Sequence, residues 1–127
     1  IGPVCLPKIS NIFPDGTLCY ITGWGTPSEG GSVSITLREA EVRIIGTGTC
    51  NTSEMYESMI WPSMLCAGYV HGKIDSCQVR DSGGPLVAGK VNALSWHLIG
   101  IVTFGECCAK VNKPGVYTRV TYLRDWI

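Results

Sequence analysis

Hydrophobic residues along this chain fall in short runs broken by glycine, proline and asparagine, with few hints of helical spacing. Runs of four to nine residues, rich in β-branched and aromatic side chains, predict strands. We place them at Leu18–Thr22, Leu37–Ile45, Met64–Ala67, Pro85–Ala88, Trp96–Phe104 and Gly115–Val120. The stretch Trp96–Phe104 is nearly all apolar, which predicts a central strand. A short helix is expected to begin near Thr49 and cover Cys50–Glu57. Another is expected from about Tyr122, with Leu123 and Trp126 three apart on one face. There is no internal repeat and no low-complexity linker. The expected fold class is all-β, an antiparallel barrel or sandwich with little helix.

Composition narrows the class further. The 127 residues suit one domain with a real core, and 45% hydrophobic against 16% charged residues points to a compact, turn-rich chain. Ten basic and ten acidic residues leave a net charge of +0, so no basic surplus draws nucleic acid or an anionic membrane. No apolar run approaches the roughly 18 residues that span a bilayer. Seven cysteines in so short a chain favour an oxidising compartment. Zinc spacing is lacking: there is no Cys-x-x-Cys pair, and the two histidines, His71 and His97, lie far apart. No metal and no other cofactor is expected. The odd cysteine count leaves at least one thiol free or paired outside the chain. Asn51-Thr52-Ser53 is a glycosylation sequon, which suits a surface loop of a secreted or cell-surface protein. The chain opens at Ile1-Gly2-Pro3 without an initiator methionine and stops at Trp126-Ile127 within an expected helix. It is expected to be a fragment.

The chemistry-bearing segment is Asp81-Ser82-Gly83-Gly84-Pro85. A serine hydroxyl becomes a nucleophile only when a base removes its proton and donors face the developing oxyanion. Two following glycines let a substrate backbone come close. These five residue types are also common in plain turns, so the pentapeptide alone does not decide between the two.

Its surroundings do. Cys77-Gln78 followed by Asp81-Ser82-Gly83-Gly84-Pro85-Leu86-Val87 resembles the nucleophile segment of trypsin-like (chymotrypsin-fold) serine proteases. Further matches follow in the family's order: Pro3-Val4-Cys5-Leu6-Pro7, Thr22-Gly23-Trp24-Gly25, Met64-Leu65-Cys66-Ala67-Gly68, and Asn112-Lys113-Pro114-Gly115-Val116-Tyr117-Thr118. The resemblance covers essentially the whole chain. It implies two antiparallel β-barrels with the active site between them, of which this chain is the second barrel, the connecting segment and most of a final helix. The first barrel, with the catalytic His and Asp, would lie upstream. By resemblance His71 and His97 cannot replace that histidine; they sit in a loop before the pocket and in a strand.

The resemblance also implies a substrate. Asp75-Ser76-Cys77 is similar to the base of the primary pocket in members that cleave after Arg or Lys, where a carboxylate attracts the substrate cation. Gly105 and Gly115 match the pocket-wall glycines, and Thr103-Phe104-Gly105 the strand that pairs with substrate backbone. Phe104 stands where Trp is more usual. Asp81 matches the residue that pairs with the new amino terminus after zymogen cleavage. The oxyanion hole would use the backbone N–H of Ser82 and of the residue two before it. There the family has a single Gly and this chain has Val79-Arg80, one residue more.

The cysteines depart from the pattern too. The resemblance pairs Cys50 with Cys66 and Cys77 with Cys108, while Cys107 replaces a pocket-rim Gly and, as the neighbour of Cys108, is an alternative partner for Cys77. The usual partner of Cys19 is replaced by Ala88, and Cys5 matches a tether to an upstream propeptide or stalk. Two readings of function follow. One is an endopeptidase represented by half its domain, inactive in isolation and exposing an apolar inter-barrel surface. The other is a non-catalytic homologue that keeps the fold as a binding module, favoured by Val79-Arg80 and the broken bridge at Cys19. A misjoined gene at Gln78–Asp81 would also produce these departures.

Overall fold

A computed structural model describes residues 3–8, 13–25, 32, 35–68, 82–89, 95–104 and 114–127. Six strands form one closed antiparallel barrel: β1 (Leu18–Gly23), β2 (Arg38–Ile45), β3 (Met64–Gly68), β4 (Pro85–Ala88), β5 (His97–Phe104) and β6 (Gly115–Arg119). Their order around the wall is β1-β2-β3-β6-β5-β4, and β4 closes onto β1. Closure leaves none of these six strands with an open edge.

Strand alternation explains how the barrel fills. Along β1, Cys19 and Ile21 point inward while Leu18, Tyr20 and Thr22 stay partly exposed, and Val42 and Ile44 do the same on β2. These meet Leu86, Ile99 and Tyr117 in the core. β3 and β6 break the alternation because both of their faces are covered. Cys66 and Val116 turn outward onto a second cluster built from Ile45, Cys50, Met55, Tyr56 and Ile60. The segment between β2 and β3 lies over the barrel there.

All six expected strands form, with ends displaced by one residue at several places. The helices differ more. In place of a helix over Cys50–Glu57 there is one turn, α1 (Thr47–Cys50), followed by irregular turns. Helical hydrogen bonding gives way to tertiary ties. The Cys50–Cys66 disulfide fixes one end. The Asn51 side-chain amide donates to the Ile60 carbonyl (3.1 Å) and accepts from its N–H (2.8 Å). Glu57 and Ser58 take positive φ of 43° and 61°, which no right-handed helix accommodates. At the C-terminus the expected helix is a 3-10 turn over Val120–Leu123. Val120 and Thr121 are buried, whereas Trp126 is 86% exposed, so the Leu123/Trp126 pair forms no packed face.

Candidate active site

Ser82 is exposed at a tight turn leading into β4. Gly83 takes φ +86°, a conformation that favours glycine. Its N–H donates to the Val102 carbonyl (3.0 Å), and the Val102 N–H donates to the Gly84 carbonyl (2.9 Å). These two bonds clamp the turn just after Ser82 to β5. Thr103 follows Val102 and is also exposed, so Ser82 and Thr103 lie at the same end of neighbouring strands.

A bulge sits here. β5 pairs with β6 through Val102↔Tyr117 and Phe104↔Val116, and Thr103 is the residue between. Its Oγ1 donates to the Val116 carbonyl (2.9 Å), holding the bulge to β6. Bulges re-aim the chain beside functional sites, and this one sits where β5 leaves the sheet. Gly115 begins β6 opposite Ala67 and is buried. Asp75, Ser76, Cys77, Val79, Arg80, Asp81, Gly105, Cys107 and Cys108 lie outside the described residues, as do the Phe104 side chain and the Cys77–Cys108 pairing. Among the described residues no three His, Cys, Asp or Glu side chains converge as metal ligands.

Two side chains that sequence reading missed brace β6, one at each of its ends. The buried Tyr56 hydroxyl donates to the Pro114 carbonyl, 58 residues away, and so fixes the entry to Gly115. No local pattern signals a contact of that range. Removing this hydroxyl leaves a buried carbonyl unsatisfied, at a cost of about 1–3 kcal/mol. Tyr56→Phe is therefore expected to lower stability by that amount, measured by urea unfolding. Arg119 is the other. Its guanidinium donates to the carbonyls of Pro62 (3.1 Å) and Met64 (2.9 Å) and to the Thr47 hydroxyl (3.3 Å), tying β6 to the turn before β3. Burial pushes its pKa down, without changing its charge in the physiological range.

The described cysteines divide three ways. Cys50 and Cys66 are joined. Cys5 is a free, exposed thiol whose backbone pairs with β5 at His97. Cys19 is a free, buried thiol directly opposite Ala88. Burial pushes its pKa from 9.0 up to about 12. At pH 8 iodoacetamide should modify Cys5 in the native protein and Cys19 only after unfolding. Below pH 9 the Cys19 thiol is neutral in both states and contributes no pH dependence. Between 9 and about 12 only the unfolded chain ionises, so stability falls by roughly 1.4 kcal/mol per pH unit. Cys19→Ala should remove that slope in alkaline melts; an unchanged slope would contradict the assignment. Asn51, in the sequon, is half-buried with both ends of its amide engaged by Ile60.

Comparison with known proteins agrees with this architecture. The family model described as Trypsin matches residues 1–127. The chain is 49% identical, over all 127 residues, to transmembrane protease serine 11C of Mus musculus. It spans 29% of the length of that relative. With a serine turn clamped at one end of a closed six-stranded barrel, and a match along its whole length, the chain belongs to the trypsin family of serine proteases.

Proposed function

We propose that this barrel is the second half of a serine endopeptidase domain that cleaves after Arg or Lys through an acyl-enzyme on Ser82. The observation that carries the reading is the exposed Ser82, held on a glycine turn clamped to β5 beside Thr103, in a chain of the trypsin family. Ser82 Oγ attacks the scissile carbonyl carbon while its proton passes to a histidine of the upstream half, which an aspartate orients. The tetrahedral intermediate collapses as the amine leaves with that proton, and water then releases the acyl group. Asp75 sits at the base of the primary pocket and receives the substrate cation. Ser76 belongs to the same pocket base, Gly105 and Gly115 leave room for the long side chain, and Thr103-Phe104-Gly105 pairs with the substrate backbone. The backbone N–H of Ser82 faces the oxyanion, and Arg80 occupies the position of the second donor, where the family has Gly. Asp81 takes the new amino terminus after zymogen cleavage.

The setting is extracellular, secreted or at the cell surface. This accords with the cysteine content and with a relative named as a transmembrane protease. Cys5, free and exposed, is suited to a disulfide with a propeptide or stalk. The partners are protein or peptide substrates bearing Arg or Lys, and the upstream half of the same domain.

Cleavage of fluorogenic peptides by the complete, activated domain tests the pocket. Arg- and Lys-ended substrates should be cleaved and an Ala-ended one should not, with the preference lost in Asp75→Ser. Equal rates on all three would sink the specificity. The absent partner of Cys19 favours a second reading, a non-catalytic homologue. That reading predicts binding of Arg-ended peptides without cleavage.

A further inference from the structure

Asn51-Thr52-Ser53 is a chemistry-bearing motif that the proposed reaction does not use. A sequon is glycosylated when the asparagine Nδ2 gives up one proton to the transferring enzyme and bonds to the anomeric carbon of an oligosaccharide. The lipid-pyrophosphate that carried the sugar departs with the electrons of the broken C–O bond. Nδ2 must be free for this to happen, and the product is bulky.

In the folded barrel both polar atoms of the Asn51 amide are committed to one residue. Oδ1 accepts from the Ile60 N–H (2.8 Å) and Nδ2 donates to the Ile60 carbonyl (3.1 Å). One planar amide can grip the N–H and C=O of one residue only if Oδ1 and the donated hydrogen point the same way, away from Cβ. In the trans amide of an N-linked glycan the sugar carbon replaces that same hydrogen. It would stand between Nδ2 and an oxygen 3.1 Å away, a hydrogen-bonded gap that admits no carbon. The remaining hydrogen points back toward Cβ, out of reach of Ile60.

The backbone cannot carry Asn51 away from this partner. Its N–H donates to the Thr47 carbonyl (2.9 Å), and its own carbonyl accepts from the Ser58 N–H (3.0 Å). Cys50 beside it is joined to Cys66. Ile60 is equally fixed, being 4% exposed and packed with Cys50, Met55 and Tyr56. All of these partners lie between Thr47 and Cys66, so the clasp needs nothing from the upstream half of the domain.

We propose that a glycan and the closed Asn51–Ile60 clasp exclude one another: Asn51 accepts an oligosaccharide only before this segment folds, and the folded domain carries an empty sequon. This exclusion takes from the proposed function only the secretory setting, and it holds whether or not Ser82 is catalytic.

The test expresses the complete domain behind a cleavable signal peptide, so that every chain meets the transferase whatever its natural setting. Secreted protein and whole-cell extract are treated with the amidase that removes N-glycans and leaves Asp in place of the glycosylated Asn. The peptide containing Asn51 is then read by mass. Secreted wild type should show Asn51 unconverted. Cys66→Ala, which releases the Cys50 tether, should show conversion several-fold higher in the extract, even where it is not secreted. Melting gives a second readout. Asn51→Asp keeps the acceptor and loses the donor, so the melting temperature should fall by several degrees. Ser53→Ala destroys the sequon and leaves the clasp, so the melting temperature should not move. Glycan on Asn51 of the secreted wild type, a sequon left empty in Cys66→Ala as well, or equal melting losses from Asn51→Asp and Ser53→Ala overturns the proposal.

Discussion

Replacing Val79-Arg80 by a single glycine is expected to raise kcat of the complete peptidase domain by about 10²–10³. One oxyanion-hole donor is worth that factor in related acyl-transfer chemistry. The family places a lone Gly there, and its backbone supplies the second N–H. Here a longer, bulkier pair precedes Asp81-Ser82. On the other side of Ser82 the chain has no slack, because Gly83 and Gly84 are both bonded to Val102. The extra residue lies in sequence upstream of that clamp, between Asp75 and Ser82, where the family's second donor belongs. A misplacement of ~1 Å suffices to cost two orders of magnitude. The gain should appear in kcat with little change in melting temperature, since the clamp itself is untouched. Unchanged turnover of an Arg-ended substrate after the replacement would show that Val79-Arg80 does not limit the chemistry.

Ala88→Cys is expected to form a disulfide with Cys19 and to stabilise the barrel by about 2–4 kcal/mol. Cys19 and Ala88 are register partners of antiparallel strands and both side chains face the core. Directly opposed residues in such a pair have Cα atoms about 4.5–5.5 Å apart, within the range a disulfide spans. The loop closed would be long, 88 − 19 = 69 residues, which places the gain toward the upper end. Cys19 Sγ now lies 3.6 Å from the Thr17 carbonyl and must turn toward position 88 to bond. The melting temperature should rise on the order of 10 °C and fall back under a reductant. Two separately titrating thiols in the folded variant would contradict the register.

The strands were legible because alternation is local. Cys19/Ile21 and Val42/Ile44 each sort to the core face from their own neighbours. The one-residue errors at strand ends arise where turns, not side-chain pattern, decide pairing. The Cys50–Glu57 helix failed for the opposite reason. Its residues carry adequate helical pattern, but the Cys66 disulfide and the Asn51–Ile60 clasp act from outside any local window. Tyr56–Pro114 and the three partners of Arg119 are equally distant in sequence and left no signal. Within the site, Ser82 and Thr103 were visible as motifs, and their shared end of the β4–β5 pair follows from the register. The replaced partner of Cys19 was also visible, since Ala88 occupies the expected cysteine position.

The chemistry proposed for the complete domain turns on Ser82 being an activated nucleophile there. A fluorophosphonate probe, followed by mass mapping of the adduct, tests it most directly. One adduct is expected, on Ser82 Oγ, formed only when the probe meets the folded domain and absent from Ser82→Ala. A correctly folded, activated domain that takes up no probe, or takes it up at another residue, would contradict it.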